Sequence, residues 1–233
     1  MAKGLLGNDE AFARFGRRIG WSLAKDMEKT ILPNIELLKS YGVPMERIIK
    51  FIYTFPRSLM VKPENFMKFV EKAEEMGADR KSQMFIYSVR SVSQMSCKTL
   101  ELKLQTLRQF GFSESDIRAT FQKSPYVFSS SVDRLKRTKD FLLATGKYDM
   151  SCIAKNHTAL LYSIEQRYMP RCKTLQVLES RNLLEKWPSL NMLSRMSDDK
   201  FFLKFVYPYL SELNNLYPTV SSMGGVNEDT KVS

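Results

Sequence analysis

The sequence is poor in the residue types on which most catalytic and metal sites depend. Its 233 residues include one histidine, His157, and three cysteines. Cys97, Cys152 and Cys172 lie far apart, form no Cys-x-x-Cys pair and are odd in number, which disfavours both a zinc site and a disulfide framework. We therefore expect three reduced, buried thiols in a protein of a reducing compartment.

Long apolar runs and catalytic motifs are also missing. No run approaches the roughly 18 apolar residues that a membrane-spanning helix needs. There is no phosphate-cradling glycine loop and no His-Glu-x-x-His motif, and His157 has no activated Cys or Ser beside it. The sequence predicts a protein that is not an enzyme, has no metal site, takes no small-molecule substrate and does not enter a membrane.

Basic residues are abundant, and they are unevenly distributed. The chain has 36 Lys and Arg against 25 Asp and Glu, a formal net charge of +11. Residues 1–182 contain 31 basic and 19 acidic residues, a net of +12, whereas residues 183–233 contain 5 and 6. An excess of this size indicates a polyanionic partner for the main part of the chain.

Helix-ending residues recur at a nearly constant interval. Four glycines and one asparagine each follow an apolar-periodic segment, at intervals of 35, 34, 35 and 36 residues: Gly42, Gly77, Gly111, Gly146 and Asn182. Glycine and, less often, asparagine end helices in the left-handed conformation. A period of this length over five copies is typical of a helical repeat array.

Each repeat has the same predicted layout. A long helix ends at the glycine, a short second helix follows, and a tight turn closes the unit, as in "FPRSL", "SPYVF" and "HTALL". Ser113 and Asp116 form a capping box for one of the second helices, and prolines such as Pro125 end the second helix. We expect each closing turn to be a single 3₁₀ turn. The segment "VRSVSQM" has no such proline, so an irregular turn is expected in the second repeat.

The repeats imply an all-α fold in which stacked units share one core. We expect a right- or left-handed superhelical solenoid, curved, with a concave basic groove. The predicted organisation is an N-terminal segment or partial repeat (1–21), a helical repeat domain (22–210) whose last unit is degenerate, and a disordered tail (211–233). Ser197 and two following acids predict the start of the last helix.

Three stretches carry a resemblance to a known family: "LLKSYGVPMERIIKFIYTFPRSL", "LRQFGFSESDIRATFQKSPYVFSSSVDRLKRTKDFLLATG" and "IEQRYMPRCKTLQVLESRNLL". They resemble the mitochondrial transcription termination factor (mTERF) family, especially its plant members, over roughly residues 22–205. The resemblance implies repeats of two α-helices and a 3₁₀ turn, and a cofactor-free monomer that binds double-stranded DNA. It also implies a role in transcription termination or initiation in the mitochondrion, with the chloroplast as the alternative, and with structured RNA and organellar RNA splicing as a second possibility.

Candidate phosphate contacts lie on the long helices. The densest basic stretch is "RLKRTK", and basic residues recur at similar places one repeat later and one repeat earlier. We expect nucleic-acid contacts from Lys98, Lys103, Arg134, Lys136, Arg137, Lys139, Arg167, Arg171 and Lys173. The alternative is a solvated outer face in which Asp133 and Asp140 pair with these cations. Tyr126 and Tyr162 could stack on an extruded base, but packing within the closing turns is the favoured interpretation.

Two other classes of protein fit part of the pattern. A base-per-repeat reader of single-stranded RNA also has a period close to 35, but its two-helix unit has no closing turn. A protein-binding scaffold of stacked helices needs no basic face.

Overall fold

The computed structural model describes residues 27–213, which contain helices and turns and no β-strand. The α-helices are α1 (Leu32–Ser40), α2 (Met45–Thr54), α3 (Pro63–Glu75), α4 (Phe85–Ser93), α5 (Cys97–Gln109), α6 (Glu114–Lys123), α7 (Tyr126–Ser129), α8 (Val132–Ala144), α9 (Met150–Lys155), α10 (Met169–Ser180), α11 (Leu190–Arg195) and α12 (Asp198–Phe205). Single 3₁₀ turns occupy Pro56–Leu59, His157–Leu161 and Tyr207–Tyr209, and π-helical turns occupy Met27–Ile31 and Ile164–Tyr168. The predicted all-α helical repeat fold is confirmed.

The chain divides into two compact units, Met1–Ser131 and Val132–Ser233. The first contains the repeats of α1, α3 and α5, and the second those of α8 and α10. The predicted N-terminal segment 1–21 lies outside the described residues, as do residues 214–233 of the predicted tail. The domain boundaries stay a prediction. Of the tail, Leu213 is described and is buried, and its amide donates to the carbonyl of Tyr209 (3.1 Å).

The helix-ending residues confirm the repeat. Gly42, Gly77, Gly111, Gly146 and Asn182 are the residues of the described chain with positive φ, between 58° and 101°. After α1, the amide of Gly42 donates to the Lys39 carbonyl (2.8 Å) and that of Val43 to the Leu38 carbonyl (3.1 Å). This is the Schellman pattern, which satisfies carbonyls that a helix end otherwise leaves unpaired. The same pair of bonds recurs at the glycines 77 and 111 and at Asn182.

The first helix of each repeat buries the same positions, counted back from its left-handed residue. Four residues before it stand Leu38, Ala73, Leu107, Leu142 and Leu178, each 0% exposed. Eleven residues before it stand Ile31, Phe66, Leu100, Leu135 and Arg171, which are all buried. The spacing of seven places both positions on one helix face. These positions form the continuous core within each unit.

The second helices and closing turns follow the prediction with one exception. The capping box at α6 is present, since Asp116 N–H donates to Ser113 Oγ (3.1 Å) and Ser113 N–H donates to the Asp116 carboxylate (3.0 Å). Ser197 caps α12 as expected. The prediction of a 3₁₀ turn was wrong for α7, which is one α-helical turn. In the second repeat α4 runs to Ser93 and α5 begins at Cys97, so no closing helix separates them, in agreement with the missing proline.

The thiol prediction was correct only in part. All three cysteines are free, but Cys97 is exposed and Cys152 is half-buried, whereas Cys172 is buried. Cys97 is the first residue of α5, outside the buried face of that helix, and this position explains its exposure. Among the helices between residues 27 and 213, none combines the length and apolar character needed to cross a bilayer.

Candidate nucleic-acid interface

The nine basic residues selected from the sequence fall into three groups in the structure. Two point into the core, four contact closing elements or neighbouring carboxylates, and three extend into solvent. The two that point into the core are Lys103 and Arg171. Those that contact closing elements or carboxylates are Arg134, Arg137, Lys139 and Arg167. Those that extend into solvent are Lys98, Lys136 and Lys173. The nine therefore do not form one equivalent set.

Lys103 belongs to the core of the first unit. Its side chain is 7% exposed, and its ammonium donates to the backbone carbonyl of Phe128 at the end of α7. Desolvation by burial lowers the pKa of Lys103. The position lies eight residues before Gly111, on the inner side of α5. A phosphate cannot reach this ammonium without displacing the closing turn, so we remove Lys103 from the proposed interface.

Arg171 is likewise interior. It is 3% exposed and occupies the position eleven residues before Asn182, where the other repeats have an apolar residue. Its guanidinium donates to the carbonyls of Leu193 (2.6 Å) and Met196 (2.8 Å) and to the carboxylate of Asp198 (2.5 Å). It also lies 4.9 Å above the ring of Phe201. Arg171 joins α11 to α12, and we remove it from the proposed interface as well.

These contacts belong to a device shared by four repeats. In each, a side chain of the first helix donates to carbonyls in or just after the elements that end the repeat. Asn34 donates to Leu59 (3.0 Å) and Val61 (2.8 Å), and Arg134 donates to Leu161 (2.5 Å). Short helices leave their last carbonyls unpaired, and these donors satisfy them. We call these donors the repeat clamps: Asn34, Lys103, Arg134, Arg167 and Arg171.

The repeat clamps show that some of the recurrent basic residues have a structural role. The first repeat lacks a basic residue at this place because Asn34, eight residues before Gly42, has the same function as Lys103. Arg167 donates to the carbonyls of Ser194 (2.9 Å) and Met196 (3.1 Å), and its guanidinium lies 4.9 Å above the Tyr162 ring. Recurrence of charge along the first helices is therefore explained in part by packing.

Arg134 and Arg137 lie on the same face of α8, as their spacing predicts. They line a pocket of about 320 Å³ together with Thr138, Tyr162, Ser163, Ile164, Glu165 and Gln166. Arg137 forms an ion pair with Glu165 (2.8 Å). On the next face, Lys139 pairs with Asp140 (2.8 Å). The expected pairing with Asp140 is thus observed for one of the cations of this stretch.

Three lysines remain exposed, and two of them lie in the second unit. Lys136 and Lys173 extend from α8 and α10, and the structure records no hydrogen bond or ion pair for either with any residue between 27 and 213. Lys173 and Arg137 share a register, nine residues before their left-handed residues. α8 contacts the π-helical turn that leads into α10, because the rings of Phe141 and Tyr168 stack with 6.3 Å between centroids.

Counting back from the left-handed residue also identifies Lys68, a basic residue that was not selected from the sequence. Lys68 lies nine residues before Gly77 and is exposed on α3 in the first unit. Lys98, thirteen residues before Gly111, is exposed near the start of α5 in that same unit. The constant register was the signal that could have identified Lys68.

The aromatic candidates are packing residues. Tyr126 is half-buried, with its ring 5.6 Å from that of Tyr87, and burial raises its pKa. Tyr162 packs edge-on against Tyr168 (6.5 Å). His157 begins a 3₁₀ turn and is half-buried. This geometry agrees with the favoured interpretation of both tyrosines as part of the closing elements.

A long helix, a left-handed stop, a short helix and a clamped closing turn together define a helical repeat protein. A family model for mTERF matches residues 16–202, and the chain belongs to the mTERF family. Proteins of this family are organellar, bind nucleic acids and are generally not enzymes. A comparison with curated proteins finds no match to the chain.

Proposed function

We propose that this protein binds double-stranded DNA through the exposed cations of α8 and α10 and regulates transcription in an organelle. The mitochondrion is the first assignment and the chloroplast the alternative, and the protein acts as a monomer without catalysing a reaction. Termination or initiation is the step that binding would control. A plant-type member remains the sequence-based prediction.

One observation supports this proposal more than any other. Lys136, Arg137 and Lys173 are exposed on the first helices of two consecutive repeats in one unit. Neither lysine is needed to hold a closing turn, unlike the clamps. Lysine and arginine at this density suit phosphate oxygens, and such contacts position a protein on a duplex without reading its sequence.

Lys98 and Lys68 are the corresponding candidates of the first unit. Both are exposed, and Lys68 shares the register of Arg137 and Lys173. We propose that they add phosphate contacts from their own unit. Arg134 and Arg167 are secondary candidates because they act as repeat clamps, and Lys139 is one because it is half-buried and paired with Asp140.

The proposal is tested by the salt dependence of binding. A labelled duplex of organellar sequence is titrated with the protein between 50 and 200 mM salt, with fluorescence anisotropy as the readout. Counterion release predicts a linear fall of log K with log salt, with a slope of about −0.9 for each phosphate contact. No binding at the lowest salt would contradict the proposal.

Competition separates DNA from RNA. Unlabelled duplex DNA, structured RNA and single-stranded RNA of equal length are added to the preformed complex. We expect duplex DNA to compete best. If structured RNA displaces the probe at much lower concentration, the splicing alternative replaces the transcriptional one. If no nucleic acid competes, a protein-binding scaffold is the better assignment.

A further inference from the structure

The pocket beside α8 is lined by a carboxylate as well as by two arginines. Ser163 precedes the helix that begins with the π-helical turn Ile164–Tyr168 and continues through α10 to Ser180. Glu165 is the second residue of that turn and is exposed. Together with Arg134 and Arg137 it lines the 320 Å³ pocket. A negative charge thus lies beside Arg137 on the surface that we propose for phosphate.

Glu165 makes the contacts that an incoming phosphate would make. Its carboxylate accepts from Arg137 Nη2 (2.8 Å) and from Ser163 Oγ (3.2 Å). A backbone N–H, the Ser163 hydroxyl and Arg137 hold the pKa of Glu165 below its usual range. The carboxylate is therefore charged at neutral pH and occupies Arg137 in the unbound protein.

We propose that Glu165 is an internal competitor for phosphate at Arg137 and a determinant of ligand choice. The proposal rests on the proposed function, since it concerns the same surface. A ligand phosphate must displace the carboxylate from Arg137 and then lie close to its charge. A repulsive element of this kind discriminates between ligands as effectively as an attractive one.

The competition disfavours single phosphates more than polymers. A lone phosphate gains one contact with Arg137 and loses the Glu165 pair. A nucleic-acid backbone that also contacts Lys136 and Lys173, as proposed above, gains further contacts that offset the loss. Glu165 thus selects for a polyanion over the free nucleotides and inorganic phosphate of the same compartment.

The test is Glu165→Gln, because glutamine can still accept from Ser163 and Arg137 but carries no charge. Inorganic phosphate is titrated into the protein, and the NMR shifts of the 163–167 amides and of Arg137 Nε are followed. We expect the variant to bind phosphate about two- to fourfold more tightly than wild type, as the strength of an exposed ion pair implies. The gain should disappear in the Arg137→Ala background.

Glu179→Gln is the matched control. Glu179 forms a similar exposed ion pair with Lys147 (2.5 Å), so the substitution removes one negative charge without changing the pocket. Equal phosphate affinity in Glu165→Gln and Glu179→Gln would overturn the proposal.

Duplex binding distinguishes this inference from the proposed function. If wild type binds duplex DNA and Glu165→Gln behaves like Glu179→Gln in both assays, the role of Glu165 is refuted and DNA binding is not. If wild type binds no DNA, and Glu165→Gln but not Glu179→Gln binds inorganic phosphate more tightly than wild type, DNA binding is refuted and the anion competition is supported.

Discussion

The third repeat (α5 to α7) and the fourth (α8 to the 3₁₀ turn at 157–161) have the same layout but differ in where two neighbouring positions carry charge. Eight residues before the glycine, the third repeat has the buried cation Lys103, whereas the fourth has the buried Thr138. Nine residues before it, the third has Leu102, 52% exposed, and the fourth has the exposed Arg137. A shift of one residue decides whether a cation supports the fold or is available to a ligand.

The largest expected effect concerns the interior cation of the fifth repeat. Arg171→Ala leaves the Leu193 carbonyl without its side-chain donor and removes one of the two arginines that contact the Met196 carbonyl and Asp198. An unsatisfied buried acceptor costs roughly 1–3 kcal/mol, and the buried side chain is lost as well, so we expect a loss of about 3 kcal/mol in the free energy of unfolding. Urea denaturation measures this loss.

Arg195→Ala is the control for that loss. Arg195 is exposed at the end of α11 and carries the same charge, so its removal should change stability by less than about 0.5 kcal/mol. Equal stability of the two variants would show that Arg171 does not hold the terminal helices.

Replacing a glycine that has positive φ should give the next largest loss of stability. The size of the loss should differ between the second repeat (Gly77) and the third (Gly111). An alanine Cβ at Gly77 would lie 2.8 Å from Arg118 Cγ and 3.2 Å from Gln122 Nε2, whereas at Gly111 it would meet nothing within 4 Å. Both positions have positive φ, which costs alanine about 1 kcal/mol. We expect Gly111→Ala to lose about 1 kcal/mol and Gly77→Ala about 2 kcal/mol in thermal or urea unfolding. Equal losses would mean that Arg118 moves aside freely.

A smaller effect is expected for the inward cation of the third repeat. Lys103→Met removes the cost of desolvating an ammonium and also the bond to the Phe128 carbonyl, so we expect a net change of about 1 kcal/mol or less at pH 7. Lys98→Ala, an exposed change on the same helix, should be near neutral.

The pH dependence of stability, compared between wild type and Lys103→Met, gives a sharper result. Burial lowers the pKa of Lys103 below 10.5, so the folded state releases its proton before the unfolded state does. Folding is therefore favoured as pH rises from the lowered value to 10.5. Wild type should gain stability relative to Lys103→Met over this alkaline window. A pH-independent difference would contradict a buried, partly neutralised ammonium.

The repeat was predictable because its signal is local. A residue with positive φ favours glycine or asparagine wherever it occurs, and all five predicted stops have that conformation. The capping box at Ser113 is also a contact between residues three apart. The α-helical form of α7 was not predictable. A single 3₁₀ turn, with i to i+3 hydrogen bonds, and a single α-helical turn, with i to i+4 hydrogen bonds, have nearly the same energy.

The site was only partly predictable because its decisive contacts are distant in the sequence. Counting from Asn182 places Arg171 at an apolar position, which sequence reasoning could have used. Its partners Leu193, Met196 and Asp198 lie 22 to 27 residues away, and no periodicity indicates that they converge. The same count would have found Lys68. The ion pair of Arg137 with Glu165 likewise depends on how α8 packs against the next repeat.

The salt dependence of duplex binding in register-matched variants tests the central claim most directly. Arg137→Ala combined with Lys173→Ala should reduce the slope of log K against log salt by about 1.8, the value for two lost phosphate contacts. Lys155→Ala combined with Lys186→Ala, which removes two exposed lysines from other elements of the same unit, should leave the slope nearly unchanged. Equal slopes in the two double variants would contradict a phosphate-binding surface on α8 and α10.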